Sequence, residues 1–209
     1  MTISLLDGAV VLAAYLVGSL SFAVIVSRLM GLDDPRTYGS GNPGATNVLR
    51  SGNRWAALLT LLFDALKGWL PVLLVRLYGP ALGLGEQTLP LVALAAFLGH
   101  LYPVFFRFQG GKGVATAAGV LYGLDPLLGS AVLLTWLTVA VVTRYSSLSA
   151  LLAALAAPLV YATGGSVLGW SPDETTLGSV ALMSALLIWR HRANILRLVQ
   201  GQEGKIGQK

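Results

Sequence analysis

The stretch from Arg36 to Arg54 has the composition of a loop that binds an anion. It reads RTYGSGNPGATNVLRSGNR and contains three arginines, four glycines and no carboxylate. Glycine lets backbone N–H groups converge on a ligand, and an arginine beside them supplies positive charge. We therefore expect the section from Ser40 to Arg50 to contact a phosphate, and we expect the outer arginines to orient the chain in a membrane.

Part of this loop imitates a nucleotide-binding fingerprint, because Gly39 to Gly44 fits the pattern G-x-G-x-x-G. That pattern needs a preceding strand and a βαβ unit, whereas an apolar run precedes it here. A helix with Asn42 as its N-cap and Pro43 as its first residue fits the local sequence better. The anion site expected at that helix N-terminus consists of three backbone N–H groups, those of Gly44, Ala45 and Thr46. Further donors are expected from Ser40, Thr46, Asn47 and Arg50.

A second loop of the same character follows downstream, with the sequence Gln109-Gly110-Gly111-Lys112-Gly113. It is not a Walker A loop, which needs G-x-x-x-x-G-K-[ST] after a strand, so nucleotide hydrolysis is poorly supported. A lysine flanked by glycines suits a phosphate contact, although a lysine at the end of an apolar helix can also extend towards water. We expect His100 to be a packing residue and Arg107 to orient the chain.

Two more polar clusters follow in the last third of the chain. Arg144 to Ser149 contains three serines, of which one is expected to cap the next helix and a second or third to contact substrate. His191 and Asn194 are three residues apart and share a face if the last apolar helix continues past them. The alternative for this basic tail is adsorption to anionic lipid. Its acid, Glu203, is expected to pair with an arginine.

Composition indicates an integral membrane protein. Of 209 residues, 55% are hydrophobic and 11% are charged, with a mean hydropathy of +0.73, whereas soluble domains contain about 25% charged residues. The sequence contains no cysteine, which excludes disulfides and thiolate metal sites. We expect no cofactor, no metal, no nucleic acid and no obligate protein partner.

Seven apolar segments predict an all-α protein with seven transmembrane helices in a single domain, residues 1–209. They cover roughly 5–28, 55–77, 88–106, 113–124, 126–143, 147–168 and 174–191. The first segment is expected to stay as a permanent span, because no basic region precedes it. The fourth is short, and a re-entrant piece is the alternative there. Within the second span, Asp64 and Lys67 lie three residues apart and are expected to form an ion pair.

The positive-inside rule orients these spans with the amino terminus outside and the carboxyl terminus in the cytoplasm. Twelve of the 14 lysines and arginines then fall at cytoplasmic ends. The opposite ends hold the acids Asp7, Glu86, Asp125, Asp173 and Glu174, and Arg76 is the one mild exception. A fourth segment that did not cross would leave the basic tail outside, so a crossing is favoured. The polar loops therefore gather at the cytoplasmic face.

These motifs, in this order, resemble the bacterial acyl-phosphate–glycerol-3-phosphate acyltransferase family (PlsY type). The resemblance covers nearly the whole chain. It rests on the sequence GSGNPGATNV from Gly39 to Val48 with Arg50, on Asp64-x-x-Lys67-Gly68, and on four further stretches, which are Gly99 to Phe105, Gly110 to Thr116, Arg144 to Ser147 and Arg190 to Leu198 with Gly201 and Glu203. Pro43 and Tyr102 depart from the residues typical of the family without changing a polar group.

The resemblance implies an enzyme of the bacterial inner membrane that acts at the cytoplasmic face. It would move a fatty acyl group from acyl phosphate to the 1-hydroxyl of glycerol 3-phosphate, giving lysophosphatidic acid and phosphate. The catalytic residues it implies are Ser40, Arg50, Lys112 and His191. The substrate-binding residues are Gly41, Asn42, Gly44, Thr46, Asn47, Gly110, Gly111, Ser146, Ser147 and Asn194. Glu203 would be structural.

The residues themselves are compatible with this chemistry. Acyl phosphate is an activated mixed anhydride, so the protein needs to position it and stabilise charge rather than supply a covalent nucleophile. The general base remains open between His191 and the substrate phosphate. The H-x-x-x-x-D motif of other glycerolipid acyltransferases is absent, because Phe105 and Leu196 occupy the fifth positions after the two histidines.

A phosphotransferase or lipid-phosphate phosphatase is an alternative enzyme. An anion transporter is the non-enzymatic alternative, although only Asp64 and Lys67 lie near the bilayer midplane.

Overall fold

The computed structural model describes residues 3–207, with the side chains of Ser166 and Leu168 left undescribed. This part of the chain is helical and contains no β-strand. The α-helices are α1 Leu5–Gly18, α2 Phe22–Leu29, α3 Ala45–Val48, α4 Arg54–Tyr78, α5 Thr88–Leu101, α6 Val114–Leu124, α7 Pro126–Thr143, α8 Ser146–Leu168, α9 Glu174–Arg190 and α10 Arg192–Val199. Two 3-10 helices occupy Leu49–Ser51 and Val104–Phe106. The all-α prediction is therefore confirmed for the described residues.

Each of the seven apolar segments predicted from the sequence contains a helix. Four helices are long and apolar enough to cross a membrane, and α1 with α2 makes a fifth candidate if that bent pair is one span. Helix α6 has 11 residues, which corresponds to about 16 Å against a hydrocarbon core of about 30 Å. Many leucines are exposed along these helices, among them Leu58, Leu61 and Leu62 on α4. Such apolar outer faces are typical of helices surrounded by lipid.

The first predicted span, residues 5–28, is broken into two helices rather than continuous. Helix α1 ends at Gly18, α2 begins at Phe22, and their axes differ by 45°. Ser19 closes α1, because its hydroxyl donates to the Tyr15 carbonyl at 2.8 Å. The break leaves the Leu20 carbonyl outside the helical ladder, and Lys67 Nζ donates to it at 2.6 Å.

The chain divides into two compact units, of which the first ends at Leu124 and the second begins at Asp125. In the first unit, α4 and α6 approach closely through small residues. A Cβ at Gly68 would collide with the Thr116 carbonyl, and one at Gly119 would collide with the Ala65 carbonyl. The Thr116 hydroxyl donates to the Asp64 carbonyl at 2.9 Å. Small residues with hydroxyl bonds between helices are typical of membrane bundles.

The second unit contains α7 to α10, and aspartate side chains cap the amino-terminal ends of α7 and α9. The Asp125 carboxylate accepts from the first N–H groups of α7, and the Asp173 carboxylate accepts from Thr176 N of α9 at 2.8 Å. The carboxyl-terminal segment is tied to the end of α7, since Ile206 N donates to the Arg144 carbonyl at 2.7 Å and an Arg144 side-chain N–H donates to Ile206 O at 3.0 Å.

Candidate active site

The first polar loop is organised by the amide of Asn47. Its Nδ2 donates to the carbonyls of Pro35 at 2.6 Å and Tyr38 at 3.1 Å, and its Oδ1 accepts from Ser40 N at 3.0 Å. The residue is 2% exposed. Because both amide hydrogens are used within the protein, Asn47 supports the loop and has no N–H left for a ligand. This role differs from the direct substrate contact predicted for it.

The helix predicted to start at Asn42 and Pro43 begins later, which corrects that expectation. Gly44 is the N-cap of α3, no side chain caps it, and the helix has only four residues. The cause is the Asn47 bonds to Pro35 and Tyr38, which hold the preceding residues in a turn. The expected helix N-terminal anion site at Gly44, Ala45 and Thr46 therefore has only a single helical turn behind it.

The Arg50 side chain lies beside Gly39 of the first loop. Gly39 has a φ of +59°, and a Cβ there would collide with Asn47 Oδ1 and lie 3.3 Å from a guanidinium nitrogen of Arg50. Only glycine fits a left-handed position so close to two side chains. The Arg50 side chain is exposed and makes no hydrogen bond or ion pair with any described residue. Its guanidinium is therefore available to an anionic ligand beside the exposed Ser40.

The positive charge of Arg36 is neutralised by a neighbouring acid, Asp34. Its Nε and a terminal nitrogen donate to the Asp34 carboxylate at 2.9 and 2.6 Å. The Arg36 guanidinium beside Asp34 holds the pKa of that carboxyl below its usual range. This forked pair fixes the entry to the first loop and agrees with the expectation that Arg36 lies outside the phosphate-binding section.

The second loop packs against both α5 and the first loop. Gly111 N donates to the His100 carbonyl at 3.2 Å. A Cβ at Gly111 would collide with His100 Nε2 and lie 3.0 Å from the Pro43 carbonyl. Glycine is thus required where the two polar loops meet. Their contact brings together the predicted sections around Ser40 and Lys112, and Lys112 itself is half-buried.

A buried charged cluster lies beneath the second loop. Lys67 Nζ and Asp64 Oδ1 are 2.8 Å apart, and His100 Nδ1 lies 3.7 Å from the same oxygen. All three side chains are buried. The predicted ion pair is confirmed, and His100 is a packing residue that also adjoins an acid. The cluster connects the break between α1 and α2 with the glycines before Lys112.

In the second unit, the serine predicted to cap α8 does not do so. Tyr145 is the N-cap, without a side-chain hydrogen bond, and Ser149 instead donates to the Tyr145 carbonyl at 2.8 Å. Arg144 ends α7 in the left-handed region with a φ of +62°, which turns the chain before a serine can reach the capping position. Ser146 and Ser147 therefore become the first helical residues, and Ser147 is buried.

His191 lies between two helices rather than within one continuous helix, which corrects the predicted extension of the last span. Helix α9 ends at Arg190 and α10 starts at Arg192. His191 is 3% exposed, and its Nδ1 lies 2.8 Å from the Leu187 carbonyl. Since a carbonyl can only accept, Nδ1 carries the hydrogen. In the neutral ring, Nε2 is then the atom that can accept a proton.

Asn194 and Arg197 of α10 are joined by Glu203. Asn194 Nδ2 donates to Glu203 Oε1 at 2.6 Å, and Arg197 Nε donates to Oε2 at 2.7 Å. The expectation that Glu203 pairs with an arginine is therefore confirmed, with Arg197 as its partner. Burial favours the protonated acid, but the Ser147 hydroxyl, the Asn194 amide and the Arg197 guanidinium hold the pKa of Glu203 below its ordinary value near 4.5.

One strained turn was missed by sequence reasoning. Arg107 and Phe108 are consecutive non-glycine residues with φ of +54° and +59°. A left-handed conformation costs about 1–2 kcal/mol per residue, and such strain collects at functional sites. The only sequence signal was an arginine between aromatic residues.

Among the described residues, no group of three or more histidine, aspartate or glutamate side chains is arranged to hold a metal.

The comparisons with known proteins cover most of the chain and agree with one another. The sequence profile of the family described as Glycerol-3-phosphate acyltransferase matches residues 8–201. The chain is 62% identical over 200 residues to the glycerol-3-phosphate acyltransferase of Paraburkholderia phytofirmans, covering 96% of this chain and 91% of that relative.

Two solved structures have the same fold. Both are crystal structures of PlsY (YgiH), an integral membrane glycerol 3-phosphate acyltransferase. The glycerol 3-phosphate form matches with a TM-score of 0.85 and 39% identity and covers 96% of each chain. The lysophosphatidic acid form matches with a TM-score of 0.83 and 38% identity, covering 96% of this chain and 95% of that one. This protein is an integral membrane protein that belongs to the glycerol-3-phosphate acyltransferase family.

Proposed function

We propose that this protein transfers a fatty acyl group from acyl phosphate to the 1-hydroxyl of sn-glycerol 3-phosphate. The products are lysophosphatidic acid and inorganic phosphate. Family membership over residues 8–201 supports acylation of glycerol 3-phosphate. The observation that carries the proposal is the contact of two glycine-rich loops through Pro43 and Gly111. The two loops bring guanidinium and ammonium groups to one region of the first unit, as phosphate-bearing substrates require.

The roles of the residues in the first unit follow from their chemistry. Arg50 and Lys112 neutralise phosphate charge, and Ser40 donates its hydroxyl to the same group. Gly41 and Gly44, with Asn42 and Thr46, let the backbone approach the ligand, while Gly110 and Gly111 let the second loop pack closely on α5 beside it. Asn47 keeps the first loop in shape. When the acyl carbonyl is attacked, the phosphate leaves with both electrons of the broken C–O bond, so fixed positive charge near it lowers the barrier.

The roles in the second unit concern the attacking hydroxyl. Ser146, Ser147 and Asn194 bind substrate, with Glu203 holding Asn194 in position. His191 has its Nδ1 hydrogen committed to Leu187 O, so its Nε2 is one of two candidate acceptors for the hydroxyl proton as the C–O bond forms. The substrate phosphate is the alternative acceptor. A variant His191→Gln separates them, because residual turnover is large only if the phosphate takes the proton.

The acyl donor is tested with purified protein in detergent. Glycerol 3-phosphate is supplied with acyl phosphate, acyl-CoA or acyl carrier protein, and lysophosphatidic acid is measured. We expect product from acyl phosphate alone. Product from acyl-CoA without product from acyl phosphate would overturn the proposal. Phosphate release from lysophosphatidic acid without a donor would favour the phosphatase alternative.

We also propose seven spans in the bacterial inner membrane, with the polar loops at the cytoplasmic face. The charge asymmetry of the sequence supports this orientation. Because the sequence contains no cysteine, single cysteines can be labelled without background. Glu86→Cys and Asp125→Cys should react with a membrane-impermeant maleimide in intact spheroplasts, whereas Thr37→Cys should react only after permeabilisation. Protection of Asp125→Cys would mean that α6 does not cross.

A further inference from the structure

A cleft in the first unit lies outside every residue predicted to bind substrate. Its volume is about 490 Å³, and it is lined by Arg28, Arg36, Phe105, Phe106, Arg107 and Gln109. The lining comes from the end of α2, from the entry to the first loop, and from the turn that leads into the second loop, including Gln109, the first residue of that loop. It therefore combines three guanidinium groups with two aromatic rings, and no carboxylate is among its lining residues.

Two of the three arginines in the cleft are uncompensated. Arg36 is held in a fork by Asp34. The side chains of Arg28 and Arg107 are exposed and form no hydrogen bond or ion pair with any described residue, although Arg28 is near enough to Asp34 to favour the charged form of that acid. The Asp34–Arg36 pair is neutral as a whole. The two positive charges that remain in the cleft are those of Arg28 and Arg107. Guanidinium groups bind phosphate oxygens through paired N–H donors.

Part of the cleft lining is aromatic and exposed. Phe105 is 58% exposed, and Phe106 is half-buried in the same 3-10 helix. The left-handed residues Arg107 and Phe108 follow directly, so the strained turn keeps an arginine beside the two rings. Arginine and aromatic side chains placed together are typical of the boundary between headgroups and acyl chains.

We propose that this cleft is a lipid site, which binds the phosphate monoester of a membrane amphiphile and receives part of its acyl chain on Phe105 and Phe106. A monoester carries nearly two negative charges near neutral pH, which matches Arg28 and Arg107, whereas a phosphodiester carries one. Free phosphate would satisfy the arginines and leave the aromatic wall unused. The site is independent of the acyl-transfer proposal, because its occupancy is measured without turnover.

The test is native mass spectrometry of the purified protein in detergent, with dihexanoyl phosphatidic acid as probe and dihexanoyl phosphatidylcholine as the diester control. The variant is Arg28→Gln with Arg107→Asn, since asparagine tolerates the left-handed conformation. The matched control is Arg54→Gln, an exposed arginine of the same unit outside the cleft. We expect wild type and control to retain phosphatidic acid in preference to phosphatidylcholine, and the double variant to bind it at least tenfold more weakly. Equal binding by the double variant overturns the proposal.

A second arm separates lipid from free phosphate. Phe105→Ala should weaken binding of phosphatidic acid several-fold, while binding of inorganic phosphate, measured by calorimetry, stays unchanged. Unchanged affinity of Phe105→Ala for phosphatidic acid would contradict the lipid assignment. The unfolding temperature of each variant is measured alongside, so that weaker binding is counted only for variants that remain folded.

Discussion

The side-chain ammonium of Lys67 donates a 2.6 Å hydrogen bond to the main-chain carbonyl of Leu20, 47 residues earlier in the chain. Leu20 lies in the break between α1 and α2. A backbone carbonyl without a partner is costly in lipid, so the break needs a donor from elsewhere in the protein. Lys67 supplies it while Asp64, 2.8 Å away, balances its charge.

Lys67→Met should destabilise the protein by about 3–5 kcal/mol, because it leaves the Asp64 charge buried without its partner. The double variant Asp64→Leu with Lys67→Met should lose less stability than the sum of the single variants. A double-mutant cycle of unfolding free energies in detergent measures this difference. Strictly additive effects would show that the pair is not coupled.

The hydrogen bond from Lys67 to the Leu20 carbonyl lies at the part of the fold that was not predicted, which is the break between α1 and α2. The apolar segments could be predicted because apolar residues dominate each run, and each run contains a helix. The break at Ser19 to Ser21 could not, since no proline marks it and the group that satisfies Leu20 is distant in sequence. Pairing of Asp64 with Lys67 was predictable, because it follows from helical spacing alone.

The local geometry of the candidate site differs from the expectation at the start of α3 and at His191, and the assignment of its residues to substrate stays a prediction. Glycine, arginine and lysine in the two loops indicated phosphate chemistry. The start of α3 was misjudged because Asn47 bonds to Pro35 and Tyr38, and a side chain that folds back over 12 residues leaves no local pattern. The separation of α9 from α10 at His191 was likewise invisible, because the sequence there contains neither glycine nor proline.

Lys112→Ala and Arg50→Ala should each lower kcat/KM for glycerol 3-phosphate acylation by about 100-fold or more, because fixed charge at a leaving phosphate is worth several kcal/mol. His191→Ala should weaken activity less, since the substrate phosphate can take the proton. Arg54→Ala is the control and should keep wild-type turnover. Wild-type activity of Lys112→Ala would remove that residue from the mechanism.

Asn47→Asp should destabilise the first loop even though the side chains have nearly the same shape. Aspartate offers no donor to the Pro35 and Tyr38 carbonyls, and each buried acceptor left unpaired costs about 1–3 kcal/mol. We expect a lower unfolding temperature and a fall in activity that glycerol 3-phosphate cannot restore at saturation. Full activity at high substrate with unchanged stability would instead assign Asn47 to substrate binding.

Gly111→Ala tests the contact between the two polar loops. Its Cβ would collide with His100 Nε2 and press on the Pro43 carbonyl, so the second loop must move away from the first. Activity should fall sharply, while Gly8→Ala, where a Cβ meets nothing within 4 Å, should leave it unchanged. Equal activity of the two variants would mean that loop contact is not needed for turnover.

Glu203 should make the stability of the protein depend on pH in the acidic range. Its folded-state pKa is lowered by the side chains of Ser147, Asn194 and Arg197, which outweigh the opposing effect of burial. The carboxylate therefore stabilises the folded state fully above its unfolded pKa near 4.5, and this contribution disappears as the pH falls through the lower folded value. At pH 7, Glu203→Gln should unfold at a lower temperature than wild type.

Between pH 7 and pH 4, the wild-type unfolding temperature should begin to approach that of Glu203→Gln, because protonation removes the carboxylate that the variant already lacks. Thermal unfolding of both proteins in the same detergent, in steps of half a pH unit, measures the gap. The exposed acid Glu86 provides the control, since Glu86→Gln should run parallel to wild type across the range. A gap between wild type and Glu203→Gln that stays constant down to the lowest pH at which the protein is soluble would show that the Asn194–Glu203–Arg197 link does not depend on the ionised carboxylate.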